Sequence, residues 1–145
     1  ATNNKAGMEA MTFGQLKGAQ SLPVFGVTHG NNEIEDIATG FTSSVKGAAS
    51  GNDSNFSYHG SGADTGIATA IVAAVDKAGL YTLKVVRGSG TDTGDGPAPV
   101  AGDVVQYAQG YLHTYAENEK DVNTNEGGTI SFMQNDFTVD DVEPA

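Results

Sequence analysis

Apolar and polar side chains alternate along most of this chain, and the alternation gives way to helical spacing only once. Phe41, Ser43 and Val45 fall on one side of a two-residue period, and Thr42, Ser44 and Lys46 fall on the other. That is the pattern of a strand with one wet face. After the small-residue stretch Gly47 to Gly51, Ser54, Phe56 and Tyr58 alternate with Asn55, Ser57 and His59. Two such runs around a short connection predict a hairpin over Phe41–His59. Upstream, Leu22–Thr28 reads as a short strand, with Pro23 placing it at an edge or a strand start. Gly30-Asn31-Asn32 reads as a turn, and Ile34–Ala38 as the start of another strand.

The helical segment is well marked. Asp64 or Thr65 can cap a helix over 65–78, because either side-chain oxygen can accept from a free first-turn amide. Ile67, Ile71, Ala74, Val75 and Ala78 share one face, while Thr69, Ala73, Asp76 and Lys77 take the other, and Gly79 supplies the stop. Alternation then resumes. Leu80–Arg87 is a strand, Gly88–Gly102 a glycine- and proline-rich loop, and Asp103–Tyr115 a long strand. In that strand Val105, Tyr107, Tyr111 and Tyr115 oppose Gln106, Ala108, Gly110 and Thr114. Ala116–Gly128 is a charged turn region. Thr129–Val139 is a final strand whose phase flips near Gln134-Asn135-Asp136, as a bulge would require. The expectation is a mainly β (α+β) fold: an antiparallel β-sandwich or barrel with one flanking α-helix. It forms a single domain over 1–145, with an N-terminal arm (1–21), a β-sandwich (22–139) and a C-terminal tail (140–145).

Charge sharpens this picture. The chain carries a net −11. From Gly88 onward there are eleven acids against Lys120 alone, while residues 1–87 hold seven acids and six bases. The acidity is regional and rides on strands. A surface of this sign repels nucleic acid and anionic membranes. With no cysteine, a disulfide framework, thiol catalysis and Cys-type zinc sites are excluded. No apolar segment with a basic flank opens the sequence, so no secretion signal is expected.

Candidate chemistry is thin. Asp64-Thr65-Gly66 and Asp92-Thr93-Gly94 match the aspartic-protease triplet, but that reaction needs two carboxylates sharing a proton on loops held by apolar strands. Asp64 instead reads as a helix cap, and Asp92 lies in a glycine-rich loop. Asp92–Gly96 lacks the alternating ligands and terminal glutamate of a calcium loop. His29, His59 and His113 lack metal-ligand spacing. No catalytic, cofactor-binding or metal-binding residue is expected, and the chain reads as a non-enzyme without cofactors.

The order and texture of residues 20–143 resemble a phage major tail protein, the tail-tube subunit of long-tailed phages. The resemblance runs through Glu33-Ile34-Glu35-Asp36-Ile37 into Gly40-Phe41-Thr42-Ser43-Ser44-Val45-Lys46-Gly47, then Asn52-Asp53-Ser54-Asn55-Phe56-Ser57-Tyr58. It continues in the single helix ending at Lys77-Ala78-Gly79 and in Leu83-Lys84-Val85-Val86-Arg87, and closes with Thr129-Ile130-Ser131-Phe132 and Asp136-Phe137-Thr138-Val139. It implies a virion protein, assembled in the host cytoplasm, that forms stacked hexameric rings around a channel. DNA passes through that channel without specific binding. A tape-measure protein and tail-end proteins are the implied partners, and no membrane is involved. On this reading the Phe41–His59 hairpin and the two long late strands face the channel, with Thr42, Ser44, Lys46, Gln106 and Thr114 toward the lumen. The N-terminal arm, the Gly88–Gly102 loop and the C-terminal tail contact neighbouring rings, with Met8, Met11, Phe13, Asp92 and Asp95 as contact residues. Two other readings stay open: a capsid decoration or virion surface protein, and a secreted carbohydrate-binding module using the tyrosines at 107, 111 and 115.

Overall fold

The longest alternating run becomes the longest strand, and the main sheet is ordered around it. The computed structural model describes residues 3–16, 19–59, 65–76, 79–92, 96–124 and 126–144. Its elements are α1 (Lys5–Glu9), β1 (Val27–Asp36), β2 (Phe41–Gly51), β3 (Asp53–His59), α2 (Thr65–Val75), β4 (Tyr81–Val86), β5 (Val104–Glu117), β6 (Gly127–Gln134) and β7 (Val139–Val142). The fold is mainly β, with two antiparallel sheets and a flanking helix. The main sheet runs β3-β6-β5-β4, and β7 pairs with the first residues of β5. The second sheet is β1-β2 alone.

Register fixes which side chains share a face. On one face Phe56, Tyr58, Ala108, Leu112, Ile130 and Phe132 are buried under Ala70 and Ala73 of α2. β6 alternates half-buried and buried residues throughout its length. On the other face Val105 and Tyr107 are covered by Met8, with Phe13, Val86 and Val139 packed around them. The ring of Phe13 lies 5.8 Å from that of Tyr107. β5 is therefore buried on both faces at Tyr107 and Ala108, because a different segment covers each.

Several expectations need correction. The Phe41–His59 hairpin does not form. β2 pairs with β1, and β3 pairs with β6. Gly47–Gly51 is strand rather than connection, since its glycine and alanine side chains let β1 approach closely. A Cβ on Gly47 would sit 2.9 Å from the Gly30 carbonyl oxygen. Gly30-Asn31-Asn32 is not a turn but the site where the β1–β2 register shifts. The true turn is Ile37–Gly40. There the Asp36 carboxylate accepts from the Ala38 amide at 2.9 Å, and Gly40 takes φ 64. Leu22–Gly26 is not strand; it runs irregularly along the outer edge of β3, with Val24 N–H donating to Ser54 Oγ and Asn52 Nδ2 donating to the Val24 carbonyl.

The helix is present but turned. Ala73, assigned to its polar face, is buried, whereas Val75, assigned to its core face, is 66% exposed. Alanine allows the closest approach of a helix to a sheet, so the small stripe packs inward and the valines stay out. Asp64, Lys77 and Ala78 lie outside the described residues. The tyrosine stripe is broken too. Thr114 adopts φ 52 at a β5–β6 register shift, which resets the alternation. Tyr115 consequently packs on the α2 side, opposite Tyr107. The single strand expected over Thr129–Val139, with a bulge near Gln134-Asn135-Asp136, is two: β6 ends at Gln134 and β7 begins at Val139, so a break rather than a bulge accounts for the change of phase.

The N-terminal segment is folded back on its own sheet rather than held out as an arm. Asn4 caps α1 by accepting from the Gly7 amide at 2.8 Å. Met8 is fully buried, and Lys5 pairs with the buried Asp141 carboxylate of β7. Glu9, one turn along, has its carboxyl held above the usual range, first by a hydrogen bond to Asp141 and then by burial. Asp140–Val142, expected in the tail, are part of β7.

Candidate assembly surface

The β1–β2 sheet is a hairpin with water on both sides. Every residue from Gly30 to Lys46 is exposed. Its register nevertheless sorts the side chains sharply. Asn32 faces Val45, Ile34 faces Ser43 and Asp36 faces Phe41, so one face carries Ile34, Phe41 and Val45. Asn31 faces Lys46, Glu33 faces Ser44 and Glu35 faces Thr42, so the other face carries Glu33, Glu35 and Lys46, while Asp36 stands beside Phe41 on the first. The apolar face is bare: Ile34 is 52% exposed, Phe41 72% and Val45 51%. Ile37, at the tip, is 98% exposed.

Isolated two-stranded hairpins are marginal in water, and this one is fixed at its root. Only Asn52 separates β2 from β3. The buried side chain of Gln134 serves as the clamp. Its Oε1 accepts from the Gly26 amide at 3.0 Å, and its Nε2 donates to the Asp136 carbonyl at 2.7 Å and to Thr138 Oγ1 at 2.9 Å. The main chain completes the clamp: the Asn52 amide donates to Gly26 O and the Gln134 amide to Asn52 O. A Cβ on Gly51 would lie 1.9 Å from the Gln134 carbonyl oxygen, so glycine is required where the hairpin joins the body. His29 packs beside Phe137 across the same joint, with ring centroids 6.4 Å apart.

A second apolar area lies on the body. α2 covers only the upper part of its face of the main sheet. Below it Val104 and Val142 are cross-strand neighbours at 49% and 48% exposure. The adjacent pair on this face is polar and internally satisfied, with Gln106 Nε2 donating to Asp140 Oδ1 at 3.1 Å.

The opposite face of the upper sheet is polar. Apart from Tyr111 and Met133, its residues are Asp53, Asn55, Ser57, Thr129, Ser131 and His113, and His113 Nε2 meets Asp53 Oδ1 at 2.9 Å. At the β5–β6 end an open cavity of about 530 Å³ has Tyr58, Ile71 and Tyr115 on its floor and Glu117, Glu119, Asp121 and Glu126 around it. Tyr115 donates to Glu117 Oε1 at 2.7 Å. Its hydroxyl is pushed well above the ordinary phenol range, first by the bond to Tyr58 and then by that to Glu117.

The five lumen candidates do not form one surface. Thr42, Ser44 and Lys46 share the charged face of the hairpin, while Gln106 and Thr114 belong to β5 in the other sheet. Thr114 sits at the bulge, bonded to His113 Nδ1 at 2.9 Å. Among the contact candidates Met8 is a core residue, which removes it from any accessible surface. Phe13 is half-buried against Tyr107, and Met11 is 36% exposed. Asp92 is exposed, its carboxylate accepting from the Gly96 amide at 3.1 Å. Asp95 lies outside the described residues. The bare hairpin face was missed because β2 was paired with the wrong strand. The available signal was Asp36 four residues before Gly40, an Asx-type turn between two alternating runs.

The Gly88–Gly102 loop is organised by one carboxylate. Asp103 accepts from Ser89 Oγ at 2.6 Å, from the Ser89 amide at 3.0 Å and from the Val100 amide at 2.7 Å. These bonds, the Ser89 hydroxyl first, hold the Asp103 carboxyl below its ordinary range. A depressed carboxyl stabilises above its unfolded pKa, and the contribution is lost as pH falls through the folded value. Protection of the Ser89 and Val100 amides is therefore expected to fall on acidification below the usual carboxylate range. In Asp103→Ala it is expected to be low at every pH. Hydrogen exchange measured as a function of pH checks both.

No model of a known protein family matches the chain, and no curated protein matches it either.

Proposed function

We propose that this chain is a self-assembling structural subunit of a phage tail tube, closing into stacked hexameric rings around a channel for DNA. The observation that carries the reading is its excess of bare surface. A folded monomer of 14.8 kDa exposes about 7,000 Å² by size scaling, whereas this chain exposes 9269 Å². The surplus of roughly 2,300 Å² exceeds the ~800 Å² that one partner contributes to a standard interface. The rigidly rooted hairpin, exposed at every residue from Gly30 to Lys46, contributes to it, and its apolar face gains nothing in a lone molecule.

Other features agree with a conduit. The polar face of the upper sheet suits a water-filled wall. A net charge of −11 per copy is multiplied by ring formation and repels DNA, which favours passage over retention. The role is structural rather than catalytic, in the virion, with a tape-measure protein and tail-end proteins as the further partners. Electron microscopy of the concentrated purified protein tests it. Six-fold rings or tubes are expected. Particles that stay monomeric at every concentration overturn the reading, and discrete trimers favour a capsid decoration protein.

A further inference from the structure

Resting on the reading of the chain as a self-assembling subunit, we infer that the bare face of the β1–β2 hairpin (Ile34, Phe41 and Val45) docks on the Val104 and Val142 pair of a second copy.

Three observations lead there. First, the hairpin face groups three bare apolar side chains. Successive same-face positions on β2 are Phe41, Ser43 and Val45, spanning about 14 Å, with Ile34 beside Ser43. Glu33, Glu35 and Lys46 lie on the reverse and keep their water when this face is covered, while Asp36, beside Phe41 at the turn end, already accepts from the Ala38 amide. Second, the molecule cannot cover this face itself. The one-residue joint at Asn52, clamped by Gln134 and closed by the tight approach of Gly51 to the Gln134 carbonyl, leaves no slack for the hairpin to fold back. Third, the same chain carries a pair of valines that its own helix leaves bare, beside the hydrogen-bonded Gln106–Asp140 pair. The surface surplus is large enough for each copy to give one face and receive another.

Because hairpin face and valine pair are different parts of the chain, the contact is heterologous. Each copy uses its hairpin on one neighbour and its valine pair on the other. Repetition then closes into a ring or continues as a helix. A hairpin-to-hairpin contact would instead end at a dimer.

The absence of cysteine makes a direct test clean. Two proteins are made, Ser43→Cys in the hairpin face and Val104→Cys in the valine pair, both at solvent-facing positions. They are mixed under mild oxidation at the concentration where the parent assembles. The expected product is the mixed disulfide, formed several-fold faster than either protein links to itself. Preferential self-linking of Ser43→Cys overturns the proposal in favour of hairpin-to-hairpin pairing. Assembly seen by light scattering without the mixed product also overturns it, while leaving the structural role standing. A mixed product without rings or tubes upholds the docking and removes the tail-tube reading. Failure both to link and to assemble removes both. Independently, Phe41→Ser with Val45→Ser should raise the concentration at half-assembly by roughly tenfold or more, with unchanged monomer melting. Assembly at the parent's concentration would contradict the docking face.

Discussion

Replacing Gln134 by leucine is expected to lower stability by about 3 kcal/mol while keeping the side chain's bulk. Gln134 is 1% exposed, yet it points an amide into the joint between the two sheets. Leucine strands the Gly26 amide, the Asp136 carbonyl and the Thr138 hydroxyl, all of which now bond to the Gln134 side chain. Each buried orphan costs about 1–3 kcal/mol, offset where water can reach it. The carbonyl and hydroxyl lie nearer the surface, so the Gly26 amide dominates. Denaturant melts should show a shifted midpoint with an unchanged slope. Hydrogen exchange should show Val27–Asp36 opening before the main sheet. A loss below 0.5 kcal/mol would mean that the joint is held by its main-chain bonds alone.

Gly110→Ala should be at least as damaging, about 3 kcal/mol or more, for a different reason. Gly110 lies at the crossing where β5 meets both β4 and β6, opposite Tyr81 and Gln134. A Cβ there would be 2.0 Å from the Met133 carbonyl oxygen and 3.0 Å from Gln134 Cα, both backbone atoms. No rotamer relieves that contact, so either β6 moves off β5 or the strand pairing slips. Thermal unfolding and soluble yield report the result. The same substitution at Gly14, where a Cβ meets nothing within 4 Å, is the control.

How much of this was legible beforehand depended on what each residue signalled locally. The period-two runs located β2, β3, β4, β5 and β6, since alternation is a direct consequence of one buried face. The phase flip near Gln134-Asp136 marked the β6–β7 break for the same reason. Pairing was harder to read. Gly47–Gly51 carries the composition of a connection, but those residues are small because β1 lies against them, as the tight approach of Gly47 to Gly30 shows. Composition alone cannot separate a glycine needed for a turn from one needed for close strand approach. The helix face differs because helical spacing groups Val75 with Ile67 and Ile71 and puts Ala73 opposite, whereas Ala70 and Ala73 pack on the sheet and Val72 and Val75 do not. The broken tyrosine stripe depended on one threonine in a left-handed conformation, which its neighbours did not announce. The candidate surface itself was half legible: the sorting of Phe41 and Val45 from Thr42, Ser44 and Lys46 was correct, but its neighbour was not.

The single residue between β2 and β3 has a mechanical corollary. A tether of many residues would stretch under tension, but Asn52 hands any pull on the hairpin tip directly to β3. β3 is zipped to β6 along all seven of its residues, from Asp53 to His59. A load running along the strand must shear those bonds together rather than peel them one at a time. Stiffness against a pull along the strand is therefore built into the joint.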